Sequence, residues 1–330
     1  MMPNKERLCG LIVGAMAGDC LGNPYIYMKA CALFDMGKQF QWQIGMPGEC
    51  SYILAWTLDE ITRRGAYLKN IANIYRKWAQ TGHDVGYIFS ECFGHQKKKA
   101  SELKLQAQYA EYGTLCSGML LLRQIPWVCV GLEWSDEKMC EMVKEECMLT
   151  HSDEVCIEYA QLYALCLRDI LLNKSRLEIW DHLFAMVRSR EVYKTLLSSY
   201  YEKPMCDGTD YSHVSVTFGM AFYHFWHHTP VSCAIRSAIL AGGSTDVNAS
   251  ATGALCGAFQ GIDSIPESWR DILFTALEPP HNQLAPHTMA CIDKLLLKHA
   301  KGKKSRQNVA VQPRVRPCTQ RKCAPYAQGA

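Results

Sequence analysis

The sequence is short of several things that usually announce a function. No run of 18 or more apolar residues occurs, so no segment is long enough to cross a membrane as a helix. There is no G-x-x-x-x-G-K, no G-x-S-x-G and no strand-borne G-x-G-x-x-G, which removes the common phosphate-loop, nucleophile-elbow and dinucleotide signatures. No internal repeat and no alternating polar and apolar run appears, so sheet architectures have no support. The seventeen cysteines are scattered without a single C-x-x-C. That pattern fits reduced thiols in a cytoplasmic or nuclear compartment better than a disulfide framework or a zinc ribbon. Finally, the last thirty residues contain no Asp or Glu but eight Lys or Arg; the chain's net charge is +3, so the tail is basic and residues 1–300 are net acidic.

What is present is helical spacing nearly everywhere, in a chain of 330 residues that can bury a large core. Lys5 and Arg7 ahead of an apolar run imitate a signal peptide, but Gly10, Gly14, Gly18 and Gly22 recur every fourth residue and Asp19 interrupts the run. A packed glycine-faced helix over 4–22 is expected instead. Further helices are expected over 50–64, 148–171, 176–201 (one or a pair), 213–228, 231–240 and 287–299, with an irregular stretch from Cys31 to Gly48. Disorder is expected from about Lys301, where composition turns basic without periodicity, and such a tail is solvated, serves as a nuclear import signal or makes nonspecific nucleic-acid contacts. His224 and His227 lack the third ligand and the H-E-x-x-H frame of a catalytic zinc site.

The most informative stretch runs from Ala241 to Gly261. Gly242 and Gly243 open a tight turn, Ser244, Thr245, Asp246 and Asn248 follow, and small residues continue into a closely packed helix. A polar turn feeding a buried helix start suits an ion or phosphate, although Ser, Thr, Asp and Asn also serve as plain helix caps.

These residues resemble the metal motif of the ADP-ribosylglycohydrolase family, G-G-D-T-D-T followed by small residues, with Ile265, Pro266 and Trp269 supplying its trailing I-P-x-x-W. Gly14, Gly18, Asp19, Leu21, Gly22 and Pro24 resemble the family's N-terminal G-A-x-x-G-D-A-L-G-x-P, and Thr150 with His151 resembles its T-H helix start. The resemblance implies an all-α fold, a compact orthogonal helical bundle over 1–300 with 301–330 as a basic tail, and a monomer. It also implies hydrolysis of the glycosidic bond between ADP-ribose and a protein side chain or small acceptor, by water organised on two magnesium ions.

The frame matches better than the chemistry. Ser244 and Val247 stand where the motif has Asp and Thr, and Pro47, Gly48, Glu49, Cys50, Ser51 and Tyr52 occupy the place of the family's D-D-T without an aspartate pair. Where the family reads N-G-x-x-M-R-x-x-P-L, Gly113 is kept but Tyr112, Ser117 and Leu120 replace Asn, Arg and Pro. On this resemblance the metal ligands would be Asp246, Thr245 and Ser244, the catalytic acids Asp19 and Glu49, and the substrate contacts Gly18, Gly113, His151, Gly242 and Gly243. Magnesium would be held weakly or lost, because that ion demands several hard oxygens. Three readings stay open: a pseudoenzyme that binds ADP-ribose or an ADP-ribosylated partner, an active hydrolase rewired around Asp19, Glu49 and Asp246 with Asp207 or Asp210, and a helical interaction protein whose cleft is plugged by side chains such as Tyr52 and Trp56.

Overall fold

The computed structural model describes residues 4–36, 44–94, 101–103, 115–276 and 281–309. Among the described residues the only non-helical pairing is one isolated bridge, Ser117 to His213. The helices in chain order are α1 (Lys5–Gly22), α2 (Ala30–Met36), α3 (Glu49–Arg64), α4 (Leu68–Thr81), α5 (Tyr87–Phe93), α6 (Met119–Arg123), α7 (Ile125–Val130) and α8 (Asp136–Cys147). The second half adds α9 (Glu154–Leu171), α10 (Arg176–Met186), α11 (Arg190–Tyr201), α12 (Val214–Trp226), α13 (Val231–Leu240), α14 (Thr245–Gln260), α15 (Glu267–Asp271) and α16 (Leu284–Val309).

The centre of the bundle is the pair α1 and α14. Apolar residues surround α1 on every side, and everything from Leu8 to Gly22 is buried, as an all-round apolar helix must be. Asn4 starts it by accepting from the Glu6 amide at 2.9 Å, so the chain enters the core with its first turn satisfied. The glycine period of four is explained by α14, which runs antiparallel against it: Gly10 meets Gly257, Gly14 meets Gly253, Gly18 meets Ala249 and Gly22 meets Thr245. A Cβ at Gly14 would stand 2.1 Å from the Gly253 carbonyl oxygen, a backbone atom with nowhere to go. Gly14→Ala should therefore lose about 1–2 kcal/mol in urea unfolding, overpacking outweighing the roughly 1 kcal/mol that helix propensity favours alanine by. A neutral result would mean that the two helices part freely.

This contact fixes the functional geometry. Because α1 ends where α14 begins, Asp19 near the end of one helix faces Asp246 in the first turn of the other. The turn that delivers α14 needs its glycines: Gly242 and Gly243 have φ of +78° and +72°, and the Gly243 amide donates to the Met28 carbonyl at 3.0 Å while its own carbonyl accepts from Tyr27 at 2.7 Å.

Three expectations from the sequence are corrected. A short helix, α2, occupies the start of the stretch expected to be irregular, its first amide held by the Asp207 carboxylate at 2.9 Å. The last helix begins at Leu284 and continues to Val309, past Lys301, because no proline interrupts the basic stretch before Pro313 and lysine and arginine are good helix formers; residues 310–330 of the basic tail lie outside the described residues. Cys116 and Cys156, expected as free thiols, are joined as a disulfide with Cα atoms 5.3 Å apart.

Candidate functional site

A cavity of about 370 Å³ opens where the starts of α3, α5 and α14 converge, within the range of small-molecule sites. Glu49, Asp84, Ser244 and Asp246 give one wall, Ser117, Arg123 and His151 another, and Tyr27, Tyr87, Phe89 and Tyr211 supply aromatic surface. Tyr52 and Trp56 do not plug it. Tyr52 is buried against Trp78, ring centroids 5.0 Å apart, and its hydroxyl meets His281 Nδ1.

Asp19 lies at the base of this region and is fully buried. The start of α3 has no side-chain cap of its own. Asp19 Oδ2 fills that role from α1, accepting from the Gly48 amide at 2.8 Å, the Ser51 amide at 3.1 Å and the Ser51 hydroxyl. Its Oδ1 is buried without a hydrogen-bond partner. Within 4.8 Å of one another lie ligand atoms of Asp19, Cys50 and Asp246, all three residues buried.

Burial raises the pKa of three of these carboxylates, and neighbouring acids add to it. Burial pushes Asp19 up to about 6, partly offset by the bonds from Ser51 and Gly48, with Asp84 raising it further. Burial and then the charge of Asp19 push Asp246 up to about 7. Glu49, half-buried at the cavity wall, rises to about 8 through desolvation, although Gly86 N–H (2.9 Å) and Trp78 Nε1 (2.7 Å) donate to its Oε2. Acids crowded together in a cleft against such repulsion are a mark of function more often than of structure.

His151 is a neutral member of the wall. Burial and the nearby Arg123 charge hold its pKa down to about 3. Its Nε2 accepts from the Ser117 amide at 3.3 Å, so the ring proton sits on Nδ1 and points to the Thr150 hydroxyl at 2.7 Å. Arg123 donates to the same hydroxyl, but its charge is absorbed by Glu146 at 2.7 Å.

The structure thus gathers Asp19, Glu49, His151, Ser244 and Asp246 around one region, and adds Asp84 and Arg123. Neither of these two stands out in the sequence: Asp84 sits in a turn after α4 with no periodic signal, and Arg123 ends an apolar run. Gly18 stands at the helix contact and Gly242 and Gly243 in the turn, so these three position the site from outside the cavity wall. The Thr245 hydroxyl donates to the Gly22 carbonyl at 2.8 Å, so it ties α14 to α1. Gly113 lies outside the described residues. Asp207 is engaged with α2 and, like Asp210, does not line the cavity.

A pair of magnesium ions does not fit these residues. The three convergent ligand atoms include only two carboxylates, and the third is a thiol, the donor magnesium avoids. The hydroxyls of Ser51 and Thr245 donate to Asp19 and to the Gly22 carbonyl, and their oxygens, although free to accept, add no carboxylate charge to the set. Glu49 and Asp84 do not join the group of three, and each has a carboxylate oxygen occupied by protein donors.

Comparison with known proteins agrees with the fold. The ADP-ribosylglycohydrolase family profile matches residues 2–301. A protein of Acanthamoeba polyphaga mimivirus with the provisional name ADP-ribosyl glycohydrolase L543 is 22% identical over 299 residues, covering 80% of this chain and 90% of that protein. A solved structure titled "ADP-ribosylglycohydrolase-related protein complex" superposes with a TM-score of 0.68 at 16% identity, covering 88% of this chain and 98% of that one. The match along nearly the whole chain places this protein in the ADP-ribosylglycohydrolase family.

Proposed function

We propose that this protein binds ADP-ribose, free or attached to a partner, in the cavity between α3, α5 and α14, and that it is a pseudoenzyme for the family's two-magnesium hydrolysis. The observation that carries this reading is an open cavity of about 370 Å³ placed between the two motif helices whose metal-binding residues have been exchanged. Its aromatic residues offer faces for an adenine, and the Ser117, Ser212 and Ser244 hydroxyls suit a ribose or pyrophosphate. An open cavity also argues against a purely vestigial cleft.

Calorimetric titration with ADP-ribose tests the reading. Binding in roughly the micromolar range, about −8 kcal/mol, is expected. It should be indifferent to millimolar magnesium, with no release of ADP-ribose from ADP-ribosylated arginine or serine peptides. Absence of binding would overturn the proposal. Magnesium-dependent turnover would instead support the second reading, a rewired hydrolase, which the proximity of Asp84 to Asp246 and Glu49 favours.

A further inference from the structure

We propose that Asp19, Cys50 and Asp246 form a site for a single divalent ion of the zinc type. The proposal rests on the convergence of these three buried donors and on the unpartnered Asp19 Oδ1, and not on ADP-ribose being the bound molecule.

The three donors come from three segments that the fold locks together. Asp19 is on α1, Cys50 in the first turn of α3 and Asp246 in the first turn of α14, and their ligand atoms lie within 4.8 Å of one another. Tetrahedral zinc with thiolate and carboxylate ligands needs separations of about 3.3–3.8 Å, so a small inward adjustment completes the set. The glycine-packed α1 and α14 keep Asp19 and Asp246 opposed without such an ion, which makes the site preformed rather than assembled on binding.

Each donor could be read as structural: Asp19 caps α3, Cys50 is a small buried side chain, and Asp246 sits in a helix first turn. That account leaves Asp19 Oδ1 buried with its lone pairs unused, an unfavourable state for a carboxylate oxygen. It also leaves Cys50 Sγ with nothing better than Met119 Sδ at 3.8 Å. A cation between them satisfies both. The Gly48 and Ser51 donors would then act on Asp19 Oδ2 as outer partners that hold the ligand carboxylate in place. A thiolate among oxygen ligands selects zinc or cobalt over magnesium. Three protein ligands leave one position open, and Asp246 is the one of the three that also lines the cavity.

Two other groups of potential ligands occur among the described residues, and both are otherwise engaged. Cys116 and Cys156, beside His213, are bonded to each other. His287 Nε2 already pairs with Asp59 Oδ1 at 3.1 Å beside Cys291.

Binding must release protons. The Cys50 thiol gives up its proton to the buffer as the sulfur–zinc bond forms, and no electrons are transferred.

The test is titration of chelator-stripped full-length protein with cobalt(II), followed by zinc(II). One equivalent of cobalt should produce a sulfur-to-cobalt charge-transfer band in the near ultraviolet, which zinc removes and millimolar magnesium does not. Cys50→Ser should abolish the band and weaken zinc by more than the roughly 10–100-fold that loss of an outer hydrogen-bond partner brings. It should also lower by one the protons released per zinc, measured by calorimetry in buffers of different ionisation enthalpy. Asp246→Asn, with unchanged circular dichroism, should lose binding independently, whereas Cys291→Ser should retain the band. Absence of cobalt binding, a band that survives Cys50→Ser or disappears in Cys291→Ser, or equal competition by magnesium would overturn the proposal. The ADP-ribose titration is read separately, so failure of either idea is visible without the other.

Discussion

Glu146→Ala is expected to destabilise the protein by about 3–5 kcal/mol, because it strands a fully buried guanidinium. Glu146 and Arg123 are both at most 1% exposed. The carboxylate accepts from Arg123 Nε at 2.7 Å, Gln124 Nε2 at 2.7 Å and the Tyr75 hydroxyl at 2.6 Å, so its removal orphans three donors at once. Burial alone pulls the Arg123 pKa down, and the Glu146 charge more than reverses it, so the partner offsets the burial of a guanidinium that stays charged with or without it. The effect should reach the cavity, since Arg123 supports Thr150, and Thr150 supports His151 and the Ser117 loop. Urea unfolding checks the magnitude, and the double variant Glu146→Met with Arg123→Leu should recover most of the loss, since a buried pair replaced by apolar residues is often close to neutral. A loss under about 1 kcal/mol for Glu146→Ala would mean that water reaches Arg123 and that the pair does not organise the wall.

That pair also shows where the sequence stops speaking. Glu146 belongs to a charged run, EMVKEEC, and nothing in the spacing marks one of its acids as the buried one. Local periodicity predicts α1, α3, α9, α12, α13 and α14 because each has an apolar face or a glycine rhythm of its own. It shows that α1 has a glycine face and that α14 is built of small residues. It does not show that Gly14 and Gly253 touch, since that is a property of the antiparallel pairing and not of either helix. The site divides the same way. Asp19, Glu49 and Asp246 are legible through the motif frame, whereas Asp84 and Arg123 reach the cavity only through tertiary packing. A count of ligands by motif leaves a single carboxylate and treats Cys50 as a loss. In three dimensions Cys50 is one of three donors in the only group, among the described residues, that combines full burial with an unused carboxylate oxygen.

Glu49→Gln is expected to stabilise the metal-free protein at alkaline pH and to leave it unchanged in acid. In the unfolded chain Glu49 titrates near 4.5, and in the folded protein near 8. A carboxyl whose pKa is raised by folding contributes its stability below the unfolded value and loses it as pH climbs through the folded one. Between about pH 4 and pH 8 wild-type stability should therefore fall, while a glutamine at the same position has no charge to bury. Desolvation is the main cause, with Asp84 and Asp246 adding repulsion and the Gly86 and Trp78 donors opposing it. A tenfold change in the acidity of a group between the unfolded and folded chain corresponds to about 1.4 kcal/mol, and water admitted by the cavity reduces the full amount to about 2–3 kcal/mol in favour of the variant near pH 8.5. The measurement is urea unfolding of both proteins at about pH 4 and pH 8.5 with chelator present. Equal pH profiles would show that Glu49 ionises freely and that the cavity wall is wet. A gap that opens with pH would show that the acidic wall is strained once Glu49 is charged, chiefly because that charge is desolvated.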